Sequence, residues 1–283
     1  MDERLDPAIL AALPEQYEVI EVREHGTSSW SSGYIIEGEV DGEECSFFLK
    51  IIARPGHAQM ALGEYESQKA LGHYLPDNAV IPLAHGTLEE DDSKSFFLAP
   101  FREFTDEIIE KDKVIEVLTK LHTSAISPTG KFGFEATTFN GVVPLLNEWC
   151  DSWEEYFTRQ FLSDIKWEQS IRGPDPEFDE IATEFFAKVI PRLLRPLQSG
   201  NRSITPVLIH GDIWHGNVKI DQDTSNIVLF DSCCCYAHNE LELYMMREER
   251  YQFSNGFIEP YLDIMGKSEP AEDFDDRNAL YAM

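Results

Sequence analysis

Over the first hundred residues, apolar positions come in short bursts of strand length separated by turn residues. Residues 17–22 form one β-prone run. Residues 33–36 and 46–52 follow, with Gly38 and Asp41-Gly42 as turn signals between them. Residues 95–100 make a further strand ending at Pro100, and Phe101-Arg102-Glu103-Phe104 reads as a crossover. Beyond it the period changes from two to that of a helix. Val114, Val117, Leu118 and Leu121 recur at helical spacing, 149–161 is aromatic and amphipathic, and 178–194 is a helix that Pro191 should kink or end. Residues 207–209 and 227–230 are short apolar strands, 240–251 reads as helix and 268–276 as an acidic loop.

Lys50 interrupts the third apolar run. Alternation puts Phe48 and Lys50 on one face, and Phe47, Leu49 and Ile51 on the other. A lysine there either points to water from an edge strand or needs a carboxylate partner. Helical geometry selects that partner. In a helix over 60–74, at about 100° per residue, Met60, Glu64, Leu71 and Leu75 share one stripe. Glu66 lies on the far side, so Glu64 is the inward acid and Lys50 the cation it wants.

Composition narrows the setting. The 283 residues suit one large domain or two modest lobes around one cleft. A net charge of -29 argues against nucleic acid as a partner. No apolar run approaches membrane-spanning length, and Met1-Asp2-Glu3-Arg4 lacks the start of a secretory signal. The five cysteines, three of them consecutive at Cys233, Cys234 and Cys235, read as small buried side chains in a reducing cytoplasm.

The chemistry concentrates near the C-terminal strands. His210-Gly211-Asp212 follows an apolar strand, Asn217 comes five residues after Asp212, and Asp231 closes the next strand. Phosphoryl transfer uses this set: one carboxylate orients the accepting hydroxyl, while an amide oxygen and a second carboxylate hold the metal. Asp212 is the catalytic candidate, and Asn217 and Asp231 are candidate ligands of Mg²⁺. Lys50, fixed by Glu64, would meet the phosphates of ATP. The loop carrying Gly26, Thr27, Ser28 and Ser29 would cover them, and Pro100, Phe101 and Arg102 would pass beside the base. Each element alone has an ordinary reading as a turn or a hairpin; their order and spacing together do not. The expected fold is α+β, bilobal and protein-kinase-like. Its nucleotide-binding lobe, an antiparallel sheet with one helix, spans 1–101. A mainly helical catalytic and substrate-binding lobe spans 102–283. Gly211 stands where regulated protein kinases carry an arginine, which points to small-molecule kinases.

At these residues the chain resembles the fructosamine-3-kinase (ketosamine-3-kinase, protein-ribulosamine 3-kinase) family, a branch of the aminoglycoside phosphotransferase-like kinases. The likeness rests on His210-Gly211-Asp212-Ile213-Trp214-His215-Gly216-Asn217, Lys131-Phe132-Gly133-Phe134, Asn147-Glu148-Trp149 with Trp153, and the run Tyr236 to Leu243. It implies ATP-dependent phosphorylation of the 3-hydroxyl of a ketosamine, free or on a glycated protein, after which the phosphate can eliminate and release the lysine. Trp214, His215 and Glu240 are the implied substrate contacts. Where some members carry a cross-linking Cys in the phosphate loop, this chain has Ser28-Ser29-Trp30, and a cytoplasmic monomer is expected. Ser232 and the cysteine run depart from the family pattern and leave the sugar preference open. The other readings are a choline- or aminoglycoside-type kinase and a non-catalytic pseudokinase. The last is disfavoured by the presence of Lys50, Glu64, Asp212, Asn217 and Asp231.

Overall fold

The computed structural model describes residues 5–105, 107–247, 249–251, 253 and 256–283. The chain forms two compact units, one of residues 1–108 with 218–232, the other of residues 109–217 with 233–283.

The first unit is built on a five-stranded antiparallel sheet. After the short helix α1 (Pro7–Ala12) come β1 (Glu18–Thr27), β2 (Ser31–Val40), β3 (Glu43–Ile52), helix α2 (His57–Tyr74), β4 (Ala84–Thr87), β5 (Ser95–Pro100) and the two-residue β6 (Phe104–Thr105). The sheet order is β1-β2-β3-β5-β4, so β3 is its middle strand. Register places Gly33 and Phe97 on either side of Lys50. Lys50 is therefore no edge residue. One sheet face, with Ile36, Phe47, Leu49, Phe96 and Leu98, packs on Leu5, Ile9 and Leu13 from α1 and its flanks. That burial consumes the apolar half of the alternation and leaves Phe48, Lys50, Phe97 and Ala99 on the opposite face.

In the second unit, α3 (Lys111–Ser124) buries Val114, Leu118 and Leu121 as its spacing predicts. The small strands β7 (Phe139–Asn140) and β8 (Val143–Pro144) precede the long helices α4 (Trp153–Arg172) and α5 (Pro176–Leu194), and then β9 (Val207–Ile209). Helix α5 runs through Pro191 and ends three residues later. Two more strands, β10 (Val218–Asp221) and β11 (Ile227–Leu229), belong to the first unit, although the sequence division assigned them to the second part of the chain. The reason is pairing: Ile220 and Asp221 of β10 sit opposite Thr105 and Phe104 of β6. Leu229 exchanges backbone hydrogen bonds with Asn78 and Val80 at 2.8 and 3.2 Å. Strand β12 (Cys235–Ala237) pairs with β9 in the second unit, followed by 3-10 turns over 239–247 and 249–251 where a regular helix was expected. Helices α6 (Ile258–Met265) and α7 (Phe274–Tyr281) complete it, with α7 occupying part of the expected acidic loop. No helix among the described residues is long and apolar enough to cross a membrane.

The aromatic blocks of the sequence build this second core. Trp153 is fully buried, stacks on Tyr156 at 5.6 Å and donates its indole N–H to the Tyr281 hydroxyl at 2.8 Å. Gly133, at φ +135°, leaves no room for a side chain: a Cβ there would lie 2.7 Å from the Asn147 carbonyl. Asn147 in turn accepts from the Tyr156 hydroxyl and donates to Thr138 Oγ1. All five cysteines are free thiols, and four of them are buried.

Candidate active site

Lys50 is the centre of the first unit's site. From the middle strand its ammonium donates to Glu64 Oε1 at 2.7 Å and to Asp231 Oδ1 at 2.5 Å. Glu64 comes from α2 in the helical phase the sequence predicts. Asp231 comes from the end of the β10–β11 hairpin, in the left-handed backbone region at φ +58°, which Asp tolerates better than most residues. Burial disfavours the Lys50 charge, but the Asp231 and Glu64 carboxylates outweigh it and hold the amine above its ordinary pKa. Burial pushes the Glu64 carboxyl up to about 7; Lys50 pulls it down and the Asp231 charge adds to burial.

These three side chains sit on the wall of a cavity of about 320 Å³ within the first unit. Its other walls are apolar and aromatic, among them Phe48, Phe97, Ala99 and Phe230. Pro100, Phe101 and Arg102 line it, as the crossover predicts, with Phe101 N–H bonded to the Ser46 carbonyl at 2.8 Å and Arg102 ion-paired with Asp221 at 3.1 Å. The expected phosphate loop joins β1 to β2. Strand β1 continues to Thr27, and residues 28–31 form a tight turn. The Ser28 hydroxyl accepts the N–H groups of Trp30 and Ser31 at 3.3 and 3.1 Å. Gly26, Thr27, Ser28 and Ser29 do not line the cavity, whereas His25 does, its ring edge-on to Phe101 at 5.4 Å.

His25 and Gln68 are the residues that sequence reasoning missed here. Gln68 follows Glu64 by one helical turn, a spacing that could have revealed it. It donates to the Val80 and Leu229 carbonyls and accepts the Ser232 hydroxyl at 2.6 Å, fastening the hairpin that carries Asp231.

The second unit carries the candidate catalytic loop. Gly211 adopts φ +86°, and a Cβ there would meet the Cys233 carbonyl oxygen at 2.5 Å and its Sγ at 2.8 Å. Only glycine lets the chain turn here, immediately before Asp212. Asn217 Nδ2 donates to both the main-chain oxygen and Oδ2 of Asp212, at 2.9 and 2.8 Å, which fixes the carboxylate and keeps the Asn217 carbonyl oxygen for another partner. Trp214 folds over Gly216, where a Cβ would lie 2.5 Å from the indole, and meets the His215 ring edge-on at 4.7 Å.

Glu242, which the sequence did not single out, holds this loop. Its fully buried carboxylate accepts the His210 N–H at 2.5 Å and the Gly211 N–H at 3.0 Å, with His122 Nε2 3.6 Å away. Burial works to raise its pKa, but His122 and the His210 N–H keep it below the ordinary value, as an anion. Glu240, the expected substrate contact, has another role. Fully buried, it forms a two-pronged ion pair with Arg277 at 2.8 and 3.0 Å and accepts the Ser268 N–H at 2.7 Å. Every oxygen is engaged within the core, so it has no face toward a substrate.

A model of the fructosamine kinase family matches residues 1–283. The chain belongs to the fructosamine kinase family. It is thus a phosphotransferase with a hydroxyl acceptor, as the catalytic spacing implies. Relatives include a chloroplastic protein-ribulosamine 3-kinase of Oryza sativa subsp. indica, 28% identical over 91% of this chain and 71% of that protein. A ketosamine-3-kinase of Mus musculus is 35% identical over 40% of this chain and 34% of its own length. Among solved structures, a candidate fructosamine-3-kinase from Haemophilus somnus 129PT superposes with a TM-score of 0.71 at 18% identity, covering 94% of this chain and 82% of that one. The aminoglycoside phosphotransferase APH(4)-Ia, in a thermostable mutant form, gives 0.62 at 13% identity, over 93% and 84% of the two chains. These likenesses establish the α+β, kinase-like fold of the family.

Proposed function

We propose that this protein uses ATP to phosphorylate the 3-hydroxyl of ketosamines, ribulosamine and fructosamine adducts of lysine, and so initiates their removal from glycated proteins. The observation that carries the reading is the Lys50 ammonium held between Glu64 and Asp231 on the wall of an apolar cavity. An apolar slot with one fixed cation suits a nucleotide: base against aromatic walls, phosphate against the ammonium. The names of the rice and mouse relatives support the ketosamine acceptor. A related fold, APH(4)-Ia, has been crystallised with AMP-PNP, which supports ATP as donor. Five free thiols suit a cytoplasmic setting.

In this reading Asp212, oriented by Asn217, accepts a hydrogen bond from the sugar hydroxyl and takes its proton as the new P–O bond forms. Lys50 neutralises phosphate charge, and Glu64 keeps its amine in place. The Asn217 carbonyl oxygen and the Asp231 carboxylate are hard oxygen donors that fit Mg²⁺, which when bound would screen the phosphate charges. Among the described residues no cluster of three or more His, Cys, Asp or Glu could hold a metal.

The test is turnover of ribuloselysine, fructoselysine, choline and an aminoglycoside with ATP and Mg²⁺. A ketosamine should be the preferred substrate, and Asp212→Asn should lower kcat by about a thousandfold or more with the KM for ATP little changed. Turnover of choline or the aminoglycoside with neither ketosamine phosphorylated would overturn the assignment.

A further inference from the structure

A second cavity, of about 390 Å³, lies wholly within the second unit. Gly211 and Cys233 form part of its wall, the former being the residue before Asp212. Phe157 and Phe161, stacked at 5.8 Å, and Tyr244 give it aromatic sides. One wall also carries Asp164. The surroundings of this carboxylate are unusual because its neighbour is neutral. Gln160 Nε2 donates to Asp164 Oδ1 at 2.7 Å. Gln160 is itself locked, its Oε1 taking the Leu146 N–H at 2.6 Å and its Nε2 also reaching the Pro144 carbonyl at 3.3 Å. Arg250, a cation on the same cavity wall, lies over the Tyr251 ring at 4.7 Å, and no ion pair of Asp164 occurs among the described residues. Burial accordingly raises the Asp164 carboxyl above its ordinary pKa, with only the Gln160 hydrogen bond opposing it. A carboxylate drawn out of water without a cation is costly, and a cationic ligand would relieve that cost.

We propose that this cavity receives the acceptor and that Asp164 binds its positively charged nitrogen, the ammonium a ketosamine carries where sugar joins amine. The assignment rests on the kinase reading for the identity of the acceptor, and on the cavity alone for its preference for a cation. The aromatic sides pack against sugar C–H faces, while Asp164 separates an amine-linked sugar from a free one. A free ketose would leave the carboxylate unpaired.

Calorimetric titration of the whole chain, without nucleotide, reads this directly. The probes are 1-amino-1-deoxyfructose, its N-acetyl derivative and fructose. The wild type should bind the amino sugar at least about tenfold tighter than either neutral sugar, the scale of one charge-assisted hydrogen bond. Asp164→Asn should bring the three within about twofold of one another, and Asp164→Glu should retain most of the preference. Equal binding of all three by the wild type, or an undiminished preference in Asp164→Asn, overturns the proposal. The comparison of amino and N-acetyl sugars needs no variant, so misfolding of Asp164→Asn would leave it decisive. Since no turnover is involved, a protein that prefers the cation but phosphorylates no ketosamine would refute the kinase assignment and uphold this one.

Discussion

Lys50 and Asp231 lie 181 residues apart in the chain and form a direct ion pair at 2.5 Å. The sequence assigned them separate tasks, one to phosphate and one to metal. Their contact makes Asp231 one of two anchors of the lysine, with Glu64 as the other. Asp231→Asn leaves the Glu64 pair intact, so the melting temperature should move by only a few degrees while kcat falls about a hundredfold or more. Lys50→Met removes the cation that two carboxylates share and should lower both stability and kcat/KM. Thermal unfolding and steady-state rates of the two variants check this difference.

Glu242 should prove as necessary to rate as residues that touch substrate. It binds two consecutive amide N–H groups of the candidate catalytic loop, at His210 and Gly211. Glu242→Gln puts an NH₂ group where one acceptor is needed and leaves a buried donor facing a donor. We expect a stability loss of about 1–3 kcal/mol and a lower kcat with the KM for ATP nearly unchanged. Urea unfolding together with initial rates separates the two effects. Unchanged kcat in a folded Glu242→Gln protein would remove the residue from the positioning role.

Glu240 and Arg277 should behave as a structural pair. Removing one partner strands a buried charge, so Glu240→Ala and Arg277→Met should each cost about 3–5 kcal/mol. The double change Glu240→Leu with Arg277→Met should recover much of that loss. In any folded variant the KM for acceptor should stay near the wild-type value, because the carboxylate faces the core. A selective rise in acceptor KM would restore Glu240 to the substrate site.

His238 predicts the acid limit of stability. Burial depresses its pKa from 6.5 to about 4, Glu240 opposing and Arg277 assisting, while its two ring nitrogens bond to Tyr281 and Ser268. Between these values the unfolded chain binds a proton that the folded one refuses. Its contribution is therefore complete above pH 6.5 and lost as pH falls toward 4, by up to about 3 kcal/mol. Unfolding free energies measured across that window should fall with pH, and His238→Gln should flatten the slope.

Much of this site was legible because local geometry is periodic. Two-residue alternation put Phe48 with Lys50, and helical phase chose Glu64 over Glu66; both relationships hold in the structure. Asp212 and Asn217 are five residues apart, and the amide–carboxylate bond between them closes within one short loop. The loop at 26–29 kept two readings, because Gly and Ser serve a tight hairpin as well as a phosphate cradle, and the Ser28 hydrogen bonds show the hairpin. Lys131-Phe132-Gly133-Phe134 and Asn147, which carry the family likeness, turn out to build core contacts around Tyr236 and Tyr156.

The sequence by itself determined strands β1, β2, β3, β5, β9 and β11, the helices α2 to α5, the Lys50–Glu64 partnership and the class of chemistry. Each of these depends on periodicity or spacing within a short stretch of chain. The tertiary structure decided which carboxylates do what. Glu240 and Glu242 are two residues apart and both fully buried, yet one neutralises Arg277 and the other holds the His210 and Gly211 backbone before Asp212. No local pattern separates them, because the partner of a buried charge is chosen by segments that meet only on folding. The same holds for Asp231, which reaches Lys50 because β10 pairs with β6.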